Sequence, residues 1–173
     1  MLALIGPSGS GKTTIENELI KRGYKRAISL TTRPPRKGEK HGLNYYFISE
    51  DKFKENIQMG FMGEFTLYKG YYYGLPLSEL ADDSVVVVEP NGYKQLKSNP
   101  RFNICGCYLN CDENVRKQRM LDRGDTLSQV EERINNDKEW FDGMIELADF
   151  VIDVSNKTID EILEIIINIK EVK

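Results

Sequence analysis

Histidine and tryptophan each occur once in the 173 residues, and cysteine only three times. With His41 alone, no nucleophile–histidine–acid triad can be assembled, and no cluster of histidine, cysteine and acids has metal-ligand spacing. Cys105, Cys107 and Cys111 crowd into one short stretch. Their spacing is neither Cys-x-x-Cys nor a disulfide framework, so they read as inert buried thiols of a reduced compartment. No apolar run approaches the ~18 residues of a membrane span, and Met1 to Ile5 runs into Gly6 without the basic start of a signal peptide. Positive charge is not in surplus either. The 24 basic and 27 acidic side chains leave a net charge of −3, which excludes a globally basic nucleic-acid coat. What is present, 40% hydrophobic, 29% charged and 10% aromatic residues, describes a folded cytoplasmic domain rather than a disordered chain.

The pattern along the chain is that of an α/β protein. Met1 to Ile5 forms a short apolar strand, followed by a glycine-rich turn and a helix from Lys12 to about Arg22, stopped by Gly23. Ser84 to Glu89 is a β-branched run without alternation, as in a central parallel strand. Phe102 to Leu109 predicts a further strand, and Asp149 to Val154 a last one. Asp112 is placed to cap a helix over Glu113 to about Arg123. Two capping boxes follow, Ser128-Gln129-Val130-Glu131 and Thr158-Ile159-Asp160-Glu161. The second opens a terminal helix with Ile159, Ile162, Leu163, Ile166 and Ile169 on one stripe. Trp140 and Phe141 fall on a helix and read as core. The stretch from Ser29 to Asp83, rich in Gly, Tyr, Phe and Arg, alternates like an antiparallel sheet and predicts an inserted lobe.

Gly6-Pro7-Ser8-Gly9-Ser10-Gly11-Lys12-Thr13 satisfies G-x-x-x-x-G-K-[ST] in full, between an apolar strand and a helix. Glycines let such a loop wrap closely, so that successive backbone N–H groups point at phosphate oxygens, and the helix adds the positive end of its dipole. Lys12 would reach the β- and γ-phosphates of ATP, and the Thr13 hydroxyl would take a place on Mg²⁺. Thr14 completes the set on the donor side. A phosphate loop specifies a nucleoside triphosphate, and the acceptor must be read elsewhere.

Ser29-Leu30-Thr31-Thr32-Arg33-Pro34-Pro35-Arg36-Lys37-Gly38-Glu39 sets two permanently charged guanidinium forks around a rigid Pro-Pro. Tyr45, Glu64 and Tyr73 follow, hydroxyls that can complete a phosphate site and a carboxylate that can accept two hydrogen bonds from a guanine edge. These pieces, in this order, resemble the guanylate kinase family over almost the whole chain, and the Thr-Thr-Arg-x-Pro-Arg-x-Gly-Glu string is highly specific to it. The resemblance implies a P-loop NTPase-type parallel sheet flanked by helices, core 1–28 and 84–173, with an inserted acceptor-binding lobe over 29–83 and a lid over 119–135. It implies that Arg33, Arg36, Tyr45 and Tyr73 hold the phosphate of GMP, that Ser29 and Glu64 read the base, and that Glu89 belongs to the same site. Arg119, Arg123 and Arg133 match the arginines of a lid closing over ATP, with one residue fewer than usual between the last two. Arg119 and Arg123, at i,i+4 spacing, could meet one ligand.

The chain departs from that pattern in places. Leu75 stands where the family usually has a small hydroxyl residue, and Val87 and Glu89 stand in place of two aspartates. The reaction implied is GMP + ATP giving GDP + ADP, with small nucleotides as partners and no nucleic acid or membrane. Two alternatives keep parts of it: a kinase of another nucleotide or phosphorylated small molecule, and a non-catalytic module that binds phosphorylated protein segments.

Overall fold

The computed structural model describes residues 1–36, 38–68 and 70–171; Lys37 of the arginine–proline string lies outside them. The first strand, β1 (Leu2–Ile5), leads through the glycine-rich loop into α1 (Lys12–Lys21). Three two-residue strands follow, β2 (Lys25–Arg26), β3 (Leu30–Thr31) and β4 (Tyr46–Phe47). Next come α2 (Glu50–Gln58) and the hairpin of β5 (Met62–Tyr68) and β6 (Tyr71–Pro76). The chain then forms β7 (Ser84–Val87), α3 (Pro90–Ser98), β8 (Cys105–Asn110) and α4 (Glu113–Asp122). It ends with α5 (Leu127–Trp140), the single turn α6 (Met144–Leu147), β9 (Phe150–Asp153) and α7 (Ile159–Glu171).

Among the described residues, five strands pair in parallel in the order β2-β7-β1-β8-β9. Burial of both faces explains their apolar, non-alternating sequences. Leu2, Leu4, Val85, Cys107 and Ile152 pack against Ile15 and Leu19 of α1 and Ile162, Leu163 and Ile166 of α7. Ala3, Ile5, Val86 and Tyr108 face the other way, toward Tyr93 and Leu96 of α3 and Met144 of α6. The three cysteines are buried and form no disulfide, and burial pushes the Cys107 thiol up to about 12 and raises that of Cys111, as expected of inert thiols. No helix among the described residues is long and apolar enough to cross a membrane.

The second sheet runs β4-β3-β6-β5. It departs from the antiparallel expectation at one pair. β3 and β4 are parallel, because the long Pro/Gly loop over 32–45 returns the chain in the same direction. A register irregularity between Met62 and Glu64 bends β5 and sets its alternation. Glu64, Thr66 and Tyr68 face the cleft, while Phe65 and Leu67 are exposed outside.

Two of the expected helix starts hold. Asp112 accepts the N–H groups of Asn114 (2.8 Å) and Val115 (3.3 Å). Thr158 and Glu161 exchange hydrogen bonds as a capping box. The third is corrected: Thr126, not Ser128, caps α5, with Gln129 as its reciprocal partner. A start at Leu127 leaves Val130 and Ile134, one turn apart, to bury together against Met120 of α4.

One contact in the core is tight enough to test. A Cβ at Gly106 of β8 would enter the ring of Tyr93, which is fully buried and whose hydroxyl donates to Asp149 Oδ2 at 3.1 Å. Neither strand nor ring can yield. Gly106→Ala is expected to lower the unfolding free energy by about 3 kcal/mol, seen as a lower urea midpoint with an unchanged slope.

Candidate active site

A cavity of about 500 Å³ opens where the C-terminal ends of β1 and β7 meet the second sheet and α5. On one side lies the phosphate loop. Gly9 adopts φ 78°, and a Cβ there would lie 2.7 Å from the Arg116 carbonyl oxygen, so only glycine lets the loop pass α4. Gly11 is the N-cap of α1 and supplies no side-chain acceptor, and the first turn carries no acid. The helix N-terminus therefore stays open to an external anion. Ser10 Oγ is buried with no hydrogen-bond partner among the described residues.

Lys12 donates to the carbonyls of Gly6 and Pro7, the latter at 3.1 Å, and its ammonium lies 5.9 Å from the Phe141 ring. Desolvation holds its pKa below the usual lysine value, opposed by Glu89 and Asp137 and assisted by Arg116 and Arg123. Thr13 lines the cavity; Thr14, beside it on α1, is exposed and does not.

On the other side, the cavity gathers Ser29, Arg33, Arg36, Tyr45, Glu64, Tyr73 and Glu89, all picked out by the sequence. Arg33 donates to Glu39 Oε1 at 2.8 Å and to the Pro34 carbonyl at 2.6 Å, and its guanidinium stands 5.7 Å from the Tyr45 ring. Its Nε–H is buried without a partner among the described residues, an unused donor. Tyr45 and Tyr73 meet edge to face at 6.1 Å, and desolvation, then Tyr73, push the Tyr45 hydroxyl to about 12, so it stays a donor. Glu64 is only 7% exposed, and burial raises its carboxyl to about 7, against a hydrogen bond from the Leu75 N–H and with Glu89 adding to the rise. Glu89, the N-cap residue of α3, opens onto the solvent of the cleft. Its carboxyl is also raised, by desolvation first, countered by Lys12.

The three lid arginines are placed differently from one another. Arg119 reaches the carbonyls of Gly9 and Ser10 at 3.5 Å and that of Val154 at 3.2 Å. Arg123 binds Asp125 through two donors, at 3.0 and 2.5 Å, and Arg133 approaches the same Asp125 oxygen at 3.8 Å. Only Arg133 of the three lines the cavity.

Several lining residues carry no signal in the sequence. Asp137 of α5 accepts from the Ser8 backbone N–H (2.8 Å), the Ser8 hydroxyl (3.3 Å) and Arg116 (3.2 Å). A carboxylate thus sits on the phosphate loop. Glu16, Asn17 and Arg26 form a cluster at the cavity wall, with Arg26 contacting both of the others. Trp140, expected in the core, instead lines the cavity and meets Tyr68 edge to face at 4.8 Å. Each depends on how α5 or α1 packs, which no local spacing reveals.

A sequence model of the guanylate kinase family matches residues 1–171. The chain belongs to the guanylate kinase family. A guanylate kinase of Prochlorococcus marinus is 32% identical over 98% of this chain and 95% of its own length. One of Helicobacter pylori is 34% identical over 98% of this chain and 85% of its own. Among solved structures, the guanylate kinase of Anaplasma phagocytophilum superposes with a TM-score of 0.72 at 26% identity, covering 99% of this chain and 84% of that one. Against the guanylate kinase pattern, the departures now have a location. The Leu75 side chain is fully buried with Val86, Val88, Tyr93 and Leu96 and turns away from the cavity, whereas Val87 lines it.

The Asp137 contact has a measurable cost of removal. Arg116 and Asp137 are both close to buried, at 9% and 12% side-chain exposure. Asp137→Ala strands the guanidinium and is expected to cost about 3 kcal/mol. Asp137→Asn, which keeps an acceptor for Ser8, is expected to cost less. Denaturant titration of the nucleotide-free protein measures both.

Proposed function

We propose that this chain transfers the terminal phosphoryl group of ATP to GMP, giving GDP and ADP. The observation that carries the reading is that one cavity unites Lys12 and Thr13 of the phosphate loop with the Arg33, Arg36, Tyr45, Tyr73 and Glu64 set. Residues 29–83 serve as the acceptor lobe and residues 119–135 as the lid, supported by the separate sheet over β3 to β6 and by the arginines around the α4–α5 turn.

The chemistry needs no covalent enzyme intermediate. An oxygen of the GMP phosphate attacks the γ-phosphorus of ATP as the bond to the bridging β,γ-oxygen breaks, and the electrons of that bond leave with ADP. The residues position the two substrates and supply positive charge. Gly6, Pro7, Ser8, Gly9, Ser10 and Gly11 give the loop that wraps the triphosphate, and the open start of α1 faces it. The Ser10 hydroxyl in the loop and the Arg33 Nε–H on the acceptor side are without partners among the described residues and retain hydrogen-bonding capacity. Lys12 now donates to neutral carbonyls, and phosphate oxygens are stronger acceptors for an ammonium, so the triphosphate takes it over. Arg119, Arg123 and Arg133 add charge from the lid. Closing the lid over the substrates keeps water from the reacting phosphorus.

A Mg²⁺ ion fits the donor chemistry of this site. Among the described residues no group of three or more His, Cys, Asp or Glu could hold a metal unaided. The ion would therefore be held by triphosphate oxygens and water, with the Thr13 hydroxyl as its protein ligand. Once bound, it neutralises charge on the phosphates.

On the acceptor side, the Glu64 carboxylate accepts from the guanine ring N–H and exocyclic amine, with Ser29 and Glu89 in the same wall. Leu75, turned into the core, offers the base no hydroxyl, so the reading of guanine falls chiefly on Glu64.

Lys12→Ala is expected to lower turnover at least about 100-fold while the fold persists by circular dichroism; an unchanged rate overturns the reading. An ADP-release screen across GMP, dGMP, AMP, CMP and UMP is expected to favour the guanine nucleotides, and parity overturns GMP as acceptor. A pH dependence follows from Glu64. Its folded value of about 7 lies above the ordinary 4.5, so the stability it lends is complete below 4.5 and is lost as pH rises through 7. Guanine needs the ionised form, so GMP binding near neutrality releases a proton. KM for GMP is expected to rise as pH falls from about 8 to about 6, and Glu64→Gln to reduce that slope to the part due to the GMP phosphate, whose second ionisation lies at about 6.

A further inference from the structure

We propose that Gly92 is a positioning residue for acceptor specificity: by lacking a Cβ it lets the Glu64 carboxylate lie against the first turn of α3, facing the acceptor cavity. The inference rests on Glu64 as the reader of the base and adds what holds that reader in place.

The geometry is specific. A Cβ built on Gly92 would lie 2.5 Å from Glu64 Oε2, 2.9 Å from its Cδ and 3.4 Å from its Cγ. These are the end and stem of one side chain. The three nearest atoms all belong to this one side chain. Gly92 is buried in the first turn of α3, behind the Glu89 N-cap and Pro90. One turn further along the same helix, Gln95 grips the backbone of the residue after Glu64. Its amide donates to the Phe65 carbonyl at 2.8 Å and accepts the Phe65 N–H at 3.2 Å. From the opposite side, Gly74 lets β6 approach, since a Cβ there would meet the Glu64 backbone oxygen at 2.6 Å. The carboxylate is therefore held by a void on α3, a clamp on α3 and a close strand on β6. Only the void is specific to the side chain, whereas the other two fix the backbone.

This arrangement gives opposite signs for stability and recognition. Glycine inside a helix is unfavourable relative to alanine, so Gly92→Ala removes a helix penalty. The clash it introduces falls on a flexible side chain, which relieves it by swinging away. The protein is expected to fold as well as the parent or better, and to read guanine worse.

The test is a double-mutant cycle on the full chain with Gly92→Ala, Glu64→Gln and the pair. Gly92→Ala is expected to raise KM for GMP about tenfold, with kcat falling by less than KM rises and KM for ATP unmoved. It is also expected to shrink the preference for GMP over IMP, which lacks the exocyclic amine. The pair is expected to show the GMP KM of Glu64→Gln alone, because a misplaced amide loses nothing further. A GMP KM unchanged in Gly92→Ala, or penalties that multiply in the pair, overturns the role of Gly92. So does a melting temperature several degrees below the parent, since the atoms displaced would then not be the movable ones. A GMP KM unchanged in Glu64→Gln instead overturns the assignment of base reading to Glu64, and with it the foundation of this inference.

Discussion

The first turn of α1 is a helix N-terminus with no acceptor of its own, set at the C-terminal end of the innermost strand of a parallel sheet. Gly11 offers no side chain, and no acid precedes Ile15 in the helix. Backbone N–H groups left in this condition carry partial positive charge into a site walled by protein, where it is poorly screened. The surrounding groups follow from that constraint. Lys12 adds a full charge beside the partial one and is held by loop carbonyls. Asp137 reaches across from α5 to take the Ser8 N–H, and Arg116 in turn balances Asp137.

The acceptor wall poses the reverse problem. Glu64 and Glu89 face one cleft, and each is raised in pKa chiefly because protein replaces water around it. Glu89, though open to the cleft, adds to the rise at the buried Glu64, so the two carboxyls resist ionising together. Lys12, on the far side, favours the charged form of Glu89. The donor and acceptor halves are therefore electrostatically joined before either substrate arrives, through one lysine that both the phosphate loop and the carboxylate wall need. A single cavity with mixed charge also explains why a chain of net charge −3 can serve phosphorylated substrates: its cations are placed rather than numerous.

The parts of this arrangement legible in the sequence are those encoded over short distances. The strand, loop and helix around Lys12 follow from one contiguous stretch, Met1 to Gly23, and the Asp112 and Thr158 caps from local hydrogen bonding. The arginine–proline string carried enough pattern to pick out residues that the fold brings into one cavity. The α5 cap was misread because Thr126-x-x-Gln129 and Ser128-x-x-Glu131 both satisfy the capping pattern, and burial of Val130 and Ile134 decided between them. Asp137 and Trp140 were invisible as site residues because their roles depend on α5 lying across the phosphate loop. Gly92 is harder still to read. A glycine in a helix looks like a local weakness, and its reason is a carboxylate 28 positions earlier in the chain.

The hairpin that carries Glu64 is inverted in polarity, with Glu64, Thr66 and Tyr68 toward the cleft and Phe65 and Leu67 toward solvent. Because side chains alternate along a strand, this lining is a property of phase as much as of composition. Inserting or deleting one residue between Gly60 and Glu64 would exchange the two sets, turning a hydrogen-bonding wall into a greasy one without changing any residue from Glu64 to Tyr68. Point substitutions can only tune such a pocket. A change in chain length beside the irregularity at Gly63 could replace its chemistry outright.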